Sequence, residues 1–210
     1  MRDRDKIAAL NSDPLLEKSV ISTFEKIPEQ IRGLKRFILW KEFQIDGEHK
    51  IKSPVSKEGQ KVAYNNNAHW LPLNEAIGII KTNADFRLGI SLGSGVAIKS
   101  SEYIWCLDFD GFADPWKSQL DNGVFDFLER FPSYTEASPS GTGFKYFFLT
   151  DVQPVVKQKI QFGPSEFWTR YPDIRKYEHR EIEVFSKNSF LALTGDSFSE
   201  TPGGLEFFNS

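Results

Sequence analysis

Apolar residues recur along this chain at two different spacings, and the two spacings alternate from segment to segment. Runs that are rich in β-branched and aromatic residues predict strands, and segments with apolar residues three or four positions apart predict helices. Strands are predicted at the following ranges: 36–40, 49–55, 88–92, 102–109, 134–137, 144–149, 180–185 and 190–193. Because strands and helices interleave, the pattern favours an α+β or α/β class.

Two pairs of these strands are predicted to form hairpins at the start and at the end of the domain. Asp46-Gly47 is a turn signal between the strands at 36–40 and 49–55. The strands at 180–185 and 190–193 predict a second and last hairpin.

Two segments predict helices of some length. The first runs from Leu71 to Lys81 and could be capped by Asn74. The second begins at Asp114-Pro115, with Asp as the cap and Pro in the first turn, and runs to Arg130. Its apolar positions repeat at helical spacing: Leu120, Val124, Phe127, Leu128 and Phe131.

The two ends of the chain differ from its centre. Residues 1–26 are polar with scattered apolar positions and predict an N-terminal helical extension, broken at Asp13-Pro14. Residues 27–199 are expected to form one domain, because 210 residues suffice for one well-buried core and are short for two. Residues 200–210 are expected to be a tail or a linker to a missing C-terminal region.

Composition narrows the partners and the compartment. The chain has 26 Lys and Arg against 29 Asp and Glu, a net charge of −3, which excludes a strongly basic coat for non-specific duplex binding. The single cysteine, Cys106, excludes an intrachain disulfide framework and a cysteine-cluster zinc site, and it is expected in the core. Because the sequence has no apolar run of the roughly 20 residues that span a bilayer and no signal peptide, a cytoplasmic protein without a membrane partner is expected.

The first chemical signal is a pair of aspartates at the end of an apolar strand, in Leu107-Asp108-Phe109-Asp110-Gly111. Residues two apart in a strand point to the same face, so both carboxylates emerge together where burial is costly without a cation. Paired hard oxygen ligands suit Mg²⁺ or Mn²⁺ that carries substrate phosphates. The alternative is a strand that ends in a polar turn.

Three classes of enzyme use an Asp-x-Asp pair: phosphatases with an aspartyl nucleophile, sugar-nucleotide transferases and polymerases. The phosphatase class expects Thr or Val two residues after the second Asp, where this chain has Phe112. It also expects the pair near the start of the domain. Both points disfavour a phosphatase.

The second signal is a loop of hydroxyl residues and glycines that ends in a lysine, Ser138-Pro-Ser-Gly-Thr-Gly-Phe-Lys145. Two glycines one residue apart permit positive φ and close backbone approach, and successive N–H groups in such a turn can bind an anion. Lys145 adds a point charge for a phosphate. The loop matches neither a P-loop nor a dinucleotide fingerprint, and the alternative is an ordinary hairpin loop.

The third signal is Glu181-Ile182-Glu183-Val184, in which two carboxylates share one face of a predicted strand. A third carboxylate is what a two-metal phosphoryl-transfer site needs beside an aspartate pair. The alternative is a solvated strand face.

These three elements, in this order, resemble the primase-polymerase domain of the archaeo-eukaryotic primase superfamily, in the version found at the start of replication proteins of phages, plasmids and integrated elements. The resemblance extends from about Ile27 to about Gly195. Its matching segments are Ile27-Pro28, Arg36 to Lys41, Lys50 to Pro54, Trp70, Glu75-Ala76, Leu88 to Ile90, Leu107 to Gly111, Tyr134 to Gly143, Ile182 to Phe185 and Leu193 to Gly195.

The resemblance implies a fold and an activity. The fold is α+β, an RRM-like antiparallel sheet that carries the acidic site, joined to a smaller αβ unit. The activity is metal-dependent, template-directed nucleotidyl transfer, as DNA primase or DNA polymerase, in replication of a mobile element. The implied partners are single-stranded DNA template, NTP or dNTP, and an attached helicase.

The resemblance also assigns the site residues. Asp108, Asp110 and Glu183 are implied as the catalytic ligands of two divalent ions, Mg²⁺ or Mn²⁺. Lys52 matches the Lys-x-Pro segment of the family and is implied as a second phosphate or template contact. The remaining nucleotide-binding residues are Ser138, Ser140, Gly141, Thr142, Gly143 and Lys145.

Two departures from the family pattern open an alternative. Lys145 stands where the family usually has His, and Ser189 stands where it often has Arg. Lysine keeps the positive charge but loses the imidazole ring and its titration near neutrality. The alternative function is therefore a catalytically weak or inactive nucleotide- or single-strand-binding module that serves an attached helicase. A further alternative is a sugar-nucleotide transferase that uses Asp108 and Asp110.

Overall fold

The computed structural model describes residues 24–46, 49–114, 119–121, 123–198 and 203–209. A four-stranded antiparallel sheet, the smaller sheet, has the order β10-β3-β1-β2. Its strands are β1 (Phe37–Asp46), β2 (His49–Val55), β3 (Arg87–Ser91) and β10 (Phe190–Ala192).

A second, larger sheet has seven strands, with the central order β11-β7-β5-β9-β8. Strand β4 pairs with β5, β6 pairs with β7, and all pairings are antiparallel except that of β11 with β7. Its strands are β4 (Ala97–Lys99), β5 (Glu102–Asp110), β6 (Thr135–Ala137), β7 (Gly143–Thr150), β8 (Gln158–Phe162), β9 (Arg180–Phe185) and β11 (Phe207–Phe208). The α-helices of the described residues are α1 (Glu29–Arg32), α2 (Leu73–Thr82) and α3 (Val124–Arg130).

The larger sheet has an apolar core on each face, because its strands alternate. Ile104 and Cys106 of β5 face the smaller sheet and pack in one cluster with Phe37 and Leu39 of β1. Residues of the other parity on β5 face the opposite side, where Phe109 packs in a second cluster with α3. Cys106 is therefore a core residue, as the sequence predicted.

Two of the local predictions are confirmed. The first hairpin is present as β1 and β2, and the helix predicted from 71 to 81 is present as α2. Asn74 does not cap α2, since its N-cap residue is Pro72. The mixed, sheet-rich architecture with antiparallel sheets agrees with the α+β class.

The helix predicted from Asp114 to Arg130 begins ten residues later, at Val124. Ala113 forms a β-bridge with Leu120, and the N–H of Asp114 donates to the carbonyl of Gln119. These short-range pairings use backbone groups that a helix starting at Asp114 would need. Gly123 then adopts φ 84°, a left-handed conformation that lets the chain turn into α3.

The predicted hairpin of 180–185 and 190–193 is wrong, although both strands exist. Strand β9 pairs with β5 and β8 in the larger sheet, whereas β10 pairs with β3 in the smaller sheet. Asn188, with φ 54°, lies in the connection and donates its N–H to the carbonyl of Gly93. This turn carries the chain from one sheet to the other, so β9 and β10 join the two units.

The end segments are described only in part. Residues 1–23 of the predicted helical extension lie outside the described residues. In the predicted tail, Phe207–Phe208 pairs with β7, and Leu205 is buried against the core shared by the two sheets. Within the described part of the chain, no helix is long and apolar enough to cross a membrane.

Candidate active site

Three central strands of the larger sheet change from apolar to charged residues at positions that are paired with one another. On the face toward the smaller sheet, β5 passes from Cys106 to Asp108, β7 from Phe147 to Lys145, and β9 from Phe185 to Glu183. The apolar members belong to the core between the sheets. The charged members therefore lie at the rim of that core, where burial makes each of them depend on a partner.

Strand register gathers four carboxylates on this face. Asp108 stands opposite Glu183, and Asp110 stands opposite Glu181. Directly paired residues of antiparallel strands point to the same side of the sheet. The structure thus brings Asp108, Asp110 and Glu183 together, and it adds Glu181 beside them. We call these four residues the acidic face.

Asp108 forms a buried ion pair with Lys145 of the neighbouring strand. The ammonium lies 3.0 Å from Oδ1 and 3.0 Å from Oδ2 of the carboxylate. Burial raises the pKa of Asp108 even though Lys145 opposes it. Burial alone would lower the pKa of Lys145, but the charge and hydrogen bond of Asp108, together with the effects of Cys106 and Glu136, raise it. Each group thus opposes the effect of burial on the pKa of its partner.

Asp110 is held by Lys176, which the sequence did not single out as a site residue. The Lys176 ammonium lies 2.8 Å from Oδ1 of Asp110 and 3.2 Å from Oγ of Ser140. Burial works against the charge of Asp110, but Lys176, with Lys145 and Lys52, outweighs it and lowers the pKa of that carboxyl. Lys176 therefore connects the acidic face to the hydroxyl loop.

Gly111 explains how Lys176 comes so close. It follows Asp110 with φ 85°, and a Cβ there would lie 2.4 Å from the carbonyl oxygen of Lys176. Only a residue without a side chain lets the one-turn 3₁₀-helix Arg175–Tyr177 approach the end of β5.

Glu181 and Glu183 pair with lysines from the edge of the sheet. Lys157 lies 2.7 Å from Glu183, and Lys159 lies 2.8 Å from Glu181 and 3.2 Å from Glu183. The hydrogen bond with Glu181 raises the pKa of Lys159. All four members of the acidic face are thus paired with ammonium groups.

The predicted nucleotide loop is the connection between β6 and β7, and its hydroxyls form a chain. Ser138 Oγ and Ser140 Oγ are 2.8 Å apart, and Ser140 Oγ and Thr142 Oγ1 are 3.2 Å apart. Gly141 has φ 74°. At Gly143 a Cβ would lie 2.0 Å from the carbonyl oxygen of Phe109, so this loop packs directly on the aspartate strand.

Lys52 reaches the same region from the smaller sheet. Desolvation, followed by the repulsion of Lys145 and Lys176, lowers the pKa of its ammonium. Asp108 and Asp110 act on it in the opposite direction. These mutual effects place the Lys52 charge within electrostatic range of the acidic face, so both sheets contribute to the site.

Glu136 is a buried carboxylate to which the sequence assigned no role. It accepts hydrogen bonds from the Tyr134 hydroxyl at 2.8 Å and from the N–H groups of Thr194 and Gly195 at 3.0 and 2.9 Å. Burial raises its pKa despite these donors. On β6 it stands opposite Lys145, so it fixes the end of β10 beside the acidic face.

The sequence contains a signal for two of these lysines, but it lies in segments that are far apart along the chain. Lys157 and Lys159 have the same two-residue spacing as Glu181 and Glu183, which predicts charge pairing only once the two segments are known to be neighbours. No comparable spacing marks Lys176, which is 66 residues from Asp110.

The donor chemistry of the acidic face fits a divalent cation. Carboxylate oxygens are the ligands that Mg²⁺ and Mn²⁺ prefer, and Asp108 and Asp110 supply them from one strand. Among the described residues, no three His, Cys, Asp or Glu side chains converge on one point as they stand. A cation bound at Asp110 would compete with the Lys176 ammonium that this carboxylate now holds.

A cavity of about 1320 Å³ opens beside the smaller sheet, between β1, α2 and the segment that leads into β3. At one end it is lined by Pro139 of the hydroxyl loop and by Thr194. The charged residues in its wall are Lys41, Lys50, Lys81, Arg87, Glu42 and Asp85. Cations therefore outnumber acids in the wall of this cavity.

The aromatic residues of the polar stretch at 167–180 are in large part internal. Phe167 and Tyr177 are buried, with ring centroids 5.6 Å apart, and Tyr171 lies 5.8 Å from Tyr177. Their packing holds the one-turn helix that carries Lys176. These rings are part of the support of the site.

Comparison with known proteins follows this geometry. No protein-family model matches the chain. The chain is similar to a DNA Primase-polymerase of Nitratiruptor phage NrS-1, with 23% identity over 170 residues. The match covers 80% of this chain and 20% of that protein, so the chain spans about a fifth of the length of this curated relative. The resemblance seen in the motifs is confirmed at this distance.

Proposed function

We propose, from the similarity to a phage primase-polymerase, that this chain carries a nucleotidyl-transfer site for DNA replication, and that the transfer is metal-dependent and template-directed. One observation carries the proposal: the acidic face adjoins the hydroxyl loop, and Lys176 contacts Asp110 and Ser140 at once. Nucleotidyl transfer needs carboxylates for divalent ions next to donors for a triphosphate.

Asp108, Asp110 and Glu183 would hold Mg²⁺ or Mn²⁺. The bound ions would supply charge neutralisation at the triphosphate and activation of the attacking 3′-hydroxyl. In the surrounding protein, Ser138, Ser140 and Thr142 offer hydroxyl donors, and Gly141 keeps the loop backbone open to phosphate oxygens.

Lys145 supports this site from a buried position on β7. It is 4% exposed, and both oxygens of Asp108 hold it, so its first task is to orient that carboxylate. Its charge also lowers the negative potential that a triphosphate would meet. A histidine at this position could release its proton near neutral pH, which a lysine paired with Asp108 does not do.

Single-stranded DNA is the proposed template, and the cavity beside the smaller sheet supports it. Lys41, Lys50, Lys81 and Arg87 line this cavity and would contact the phosphate backbone. The cavity reaches the hydroxyl loop at Pro139, so a strand bound there would lead into the site. A helicase that is attached to or works with this domain, and a mobile element as its setting, remain part of the proposal.

The test is incorporation of labelled NTP or dNTP on a single-stranded template with Mg²⁺ or Mn²⁺. We expect activity that EDTA removes and that the double variant Asp108→Asn with Asp110→Asn lacks. Asp126→Asn on α3, an exposed acid away from the acidic face, is the matched control and should retain activity. Wild-type incorporation no higher than that of the double variant would refute nucleotidyl transfer.

A second candidate function is favoured by the lysines themselves. Because every member of the acidic face is already paired, the site could bind nucleotide and turn over slowly, as a binding module for a helicase. Tight triphosphate binding without incorporation would support this function. Incorporation gained in Lys145→His would show that the lysine is what slows the reaction.

A further inference from the structure

The geometry points to Lys176 as a triphosphate-binding residue that exchanges its bond with Asp110 for a bond with the incoming nucleotide. This inference rests on the proposed function and deepens it. The same ammonium contacts Asp110 in the nucleotide-free protein and a phosphate in the nucleotide-bound protein.

The position of the Lys176 ammonium is the first argument. It is 2.8 Å from Oδ1 of Asp110, a proposed metal ligand, and 3.2 Å from Oγ of Ser140, a proposed phosphate donor. A triphosphate that bridges a metal ion and the hydroxyl loop would pass between these two atoms. The ammonium therefore occupies the place where the negative charge of the ligand would arrive.

The freedom of its side chain is the second argument. The Lys176 side chain is 43% exposed, whereas that of Lys145 is 6% exposed and is held by both oxygens of Asp108. Lys157 and Lys159 pair with Glu183 and Glu181 from the edge of the sheet. Lys176 is thus the lysine of this group that combines exposure with a contact to the hydroxyl loop.

The backbone below Lys176 is fixed, which confines the exchange to the side chain. The neighbouring Tyr177 is buried, and its hydroxyl donates to the carbonyl of Ala113. Gly111 admits the helix against the end of β5. With the Cα held, the four-carbon stem of the lysine can move its ammonium by several ångströms through rotamer changes alone.

The exchange has opposite consequences for two ligands. Without nucleotide, the ammonium competes with a divalent cation for Asp110, because both positive charges are attracted to the same carboxylate. With nucleotide, the released ammonium adds a charge-assisted bond to a phosphate oxygen. Removal of the ammonium should therefore strengthen the binding of the metal alone and weaken the binding of the triphosphate.

The experiment measures these two affinities on the full chain. Mn²⁺ is titrated alone by calorimetry, and a base-labelled fluorescent NTP and dNTP are titrated at saturating Mn²⁺. For Lys176→Met we expect Mn²⁺ to bind about three- to fivefold tighter and the triphosphate to bind about tenfold weaker or more. Arg175→Met removes one positive charge from the same turn of helix and should change neither affinity by as much as twofold. Lys176→Arg should restore triphosphate binding.

The outcomes distinguish failure of the Lys176 exchange from failure of the polymerase function. If both affinities fall together in Lys176→Met, the residue only supports the structure, and the inference is overturned; unchanged affinities overturn it as well. Opposite shifts in a chain that never incorporates nucleotide would leave the inference standing and defeat the polymerase function. A wild-type chain that binds no Mn²⁺ would defeat both.

Discussion

Lys145 and Asp108 stand opposite each other on neighbouring strands, and the lysine ammonium lies 3.0 Å from each carboxylate oxygen. The pair lies where the core between the two sheets ends, so little water reaches either charge. It orients the first aspartate of the Asp-x-Asp pair. Lys145 is therefore built into the support of the acidic face.

Loss of the Lys145 ammonium should destabilise the folded chain. Lys145→Met leaves the Asp108 carboxylate buried without its counter-ion, which costs about 3 kcal/mol or more in the free energy of unfolding. Urea denaturation at pH 7 measures it. Lys157→Met, which breaks a half-exposed ion pair with Glu183, should cost less than about 1 kcal/mol.

Pairing Lys145→Met with Asp108→Asn removes the uncompensated charge and should recover part of the lost stability. Equal losses of unfolding free energy in Lys145→Met and Lys157→Met would show that the buried pair stabilises the fold no more than the half-exposed pair does.

Glu136 should make stability fall as pH rises. Burial raises its pKa above the ordinary value of 4.5, so the folded state binds more protons than the unfolded state in the interval above 4.5. The free energy of unfolding then decreases with pH through that interval. The free energy of unfolding of Glu136→Gln minus that of wild type should therefore increase from pH 4.5 to pH 7. The value of this difference at low pH does not affect the expectation. A constant difference across this interval would contradict the assignment.

The contact between the hydroxyl loop and the aspartate strand predicts a strict requirement for glycine. In Gly143→Ala the new Cβ would meet the carbonyl oxygen of Phe109 at 2.0 Å, so β5 and β7 must separate. We expect a loss of more than about 2 kcal/mol in thermal or urea unfolding. Gly163→Ala is the matched control, since a Cβ there meets nothing within 4 Å. Equal midpoints for the two variants would mean that the loop does not pack on β5.

The sequence predicted those parts of the site that depend on local periodicity. The two-residue spacing of Asp108 and Asp110 placed them on one face, because β5 is a regular strand to its end. The pairing of Asp108 with Lys145 spans 37 residues, and it depends on the register between β5 and β7. That register is set by packing across the whole sheet, so no local pattern reports it.

Backbone pairing that local spacing does not report explains two of the errors in the fold. Two adjacent apolar runs, β9 and β10, fit a hairpin by spacing, but each has a better partner elsewhere, in β5 and in β3. The apolar spacing before α3 fits a helix, but Leu120 pairs back to Ala113 instead. In the first case a long-range strand pairing outweighs the local spacing, and in the second a short local bridge takes the place of the first turns of the helix.

The cavity beside the smaller sheet predicts a salt-dependent template contact. Lys41→Ala should weaken the binding of single-stranded DNA and lower the slope of log affinity against log salt by about 0.7. Fluorescence anisotropy with a labelled oligonucleotide at several salt concentrations measures both quantities. Lys99→Ala, a change of an exposed lysine on β4, is the control. An unchanged slope in Lys41→Ala would place the template elsewhere.

Template-directed selection of the nucleotide is the most direct test of the central claim. Single-nucleotide incorporation is measured opposite each of the four template bases, with Mn²⁺, for wild type and for Asp108→Asn. We expect the wild-type chain to add the complementary nucleotide in each case and the variant to add none. Addition that ignores the template base, or equal signal from wild type and Asp108→Asn, would contradict a polymerase site on the acidic face.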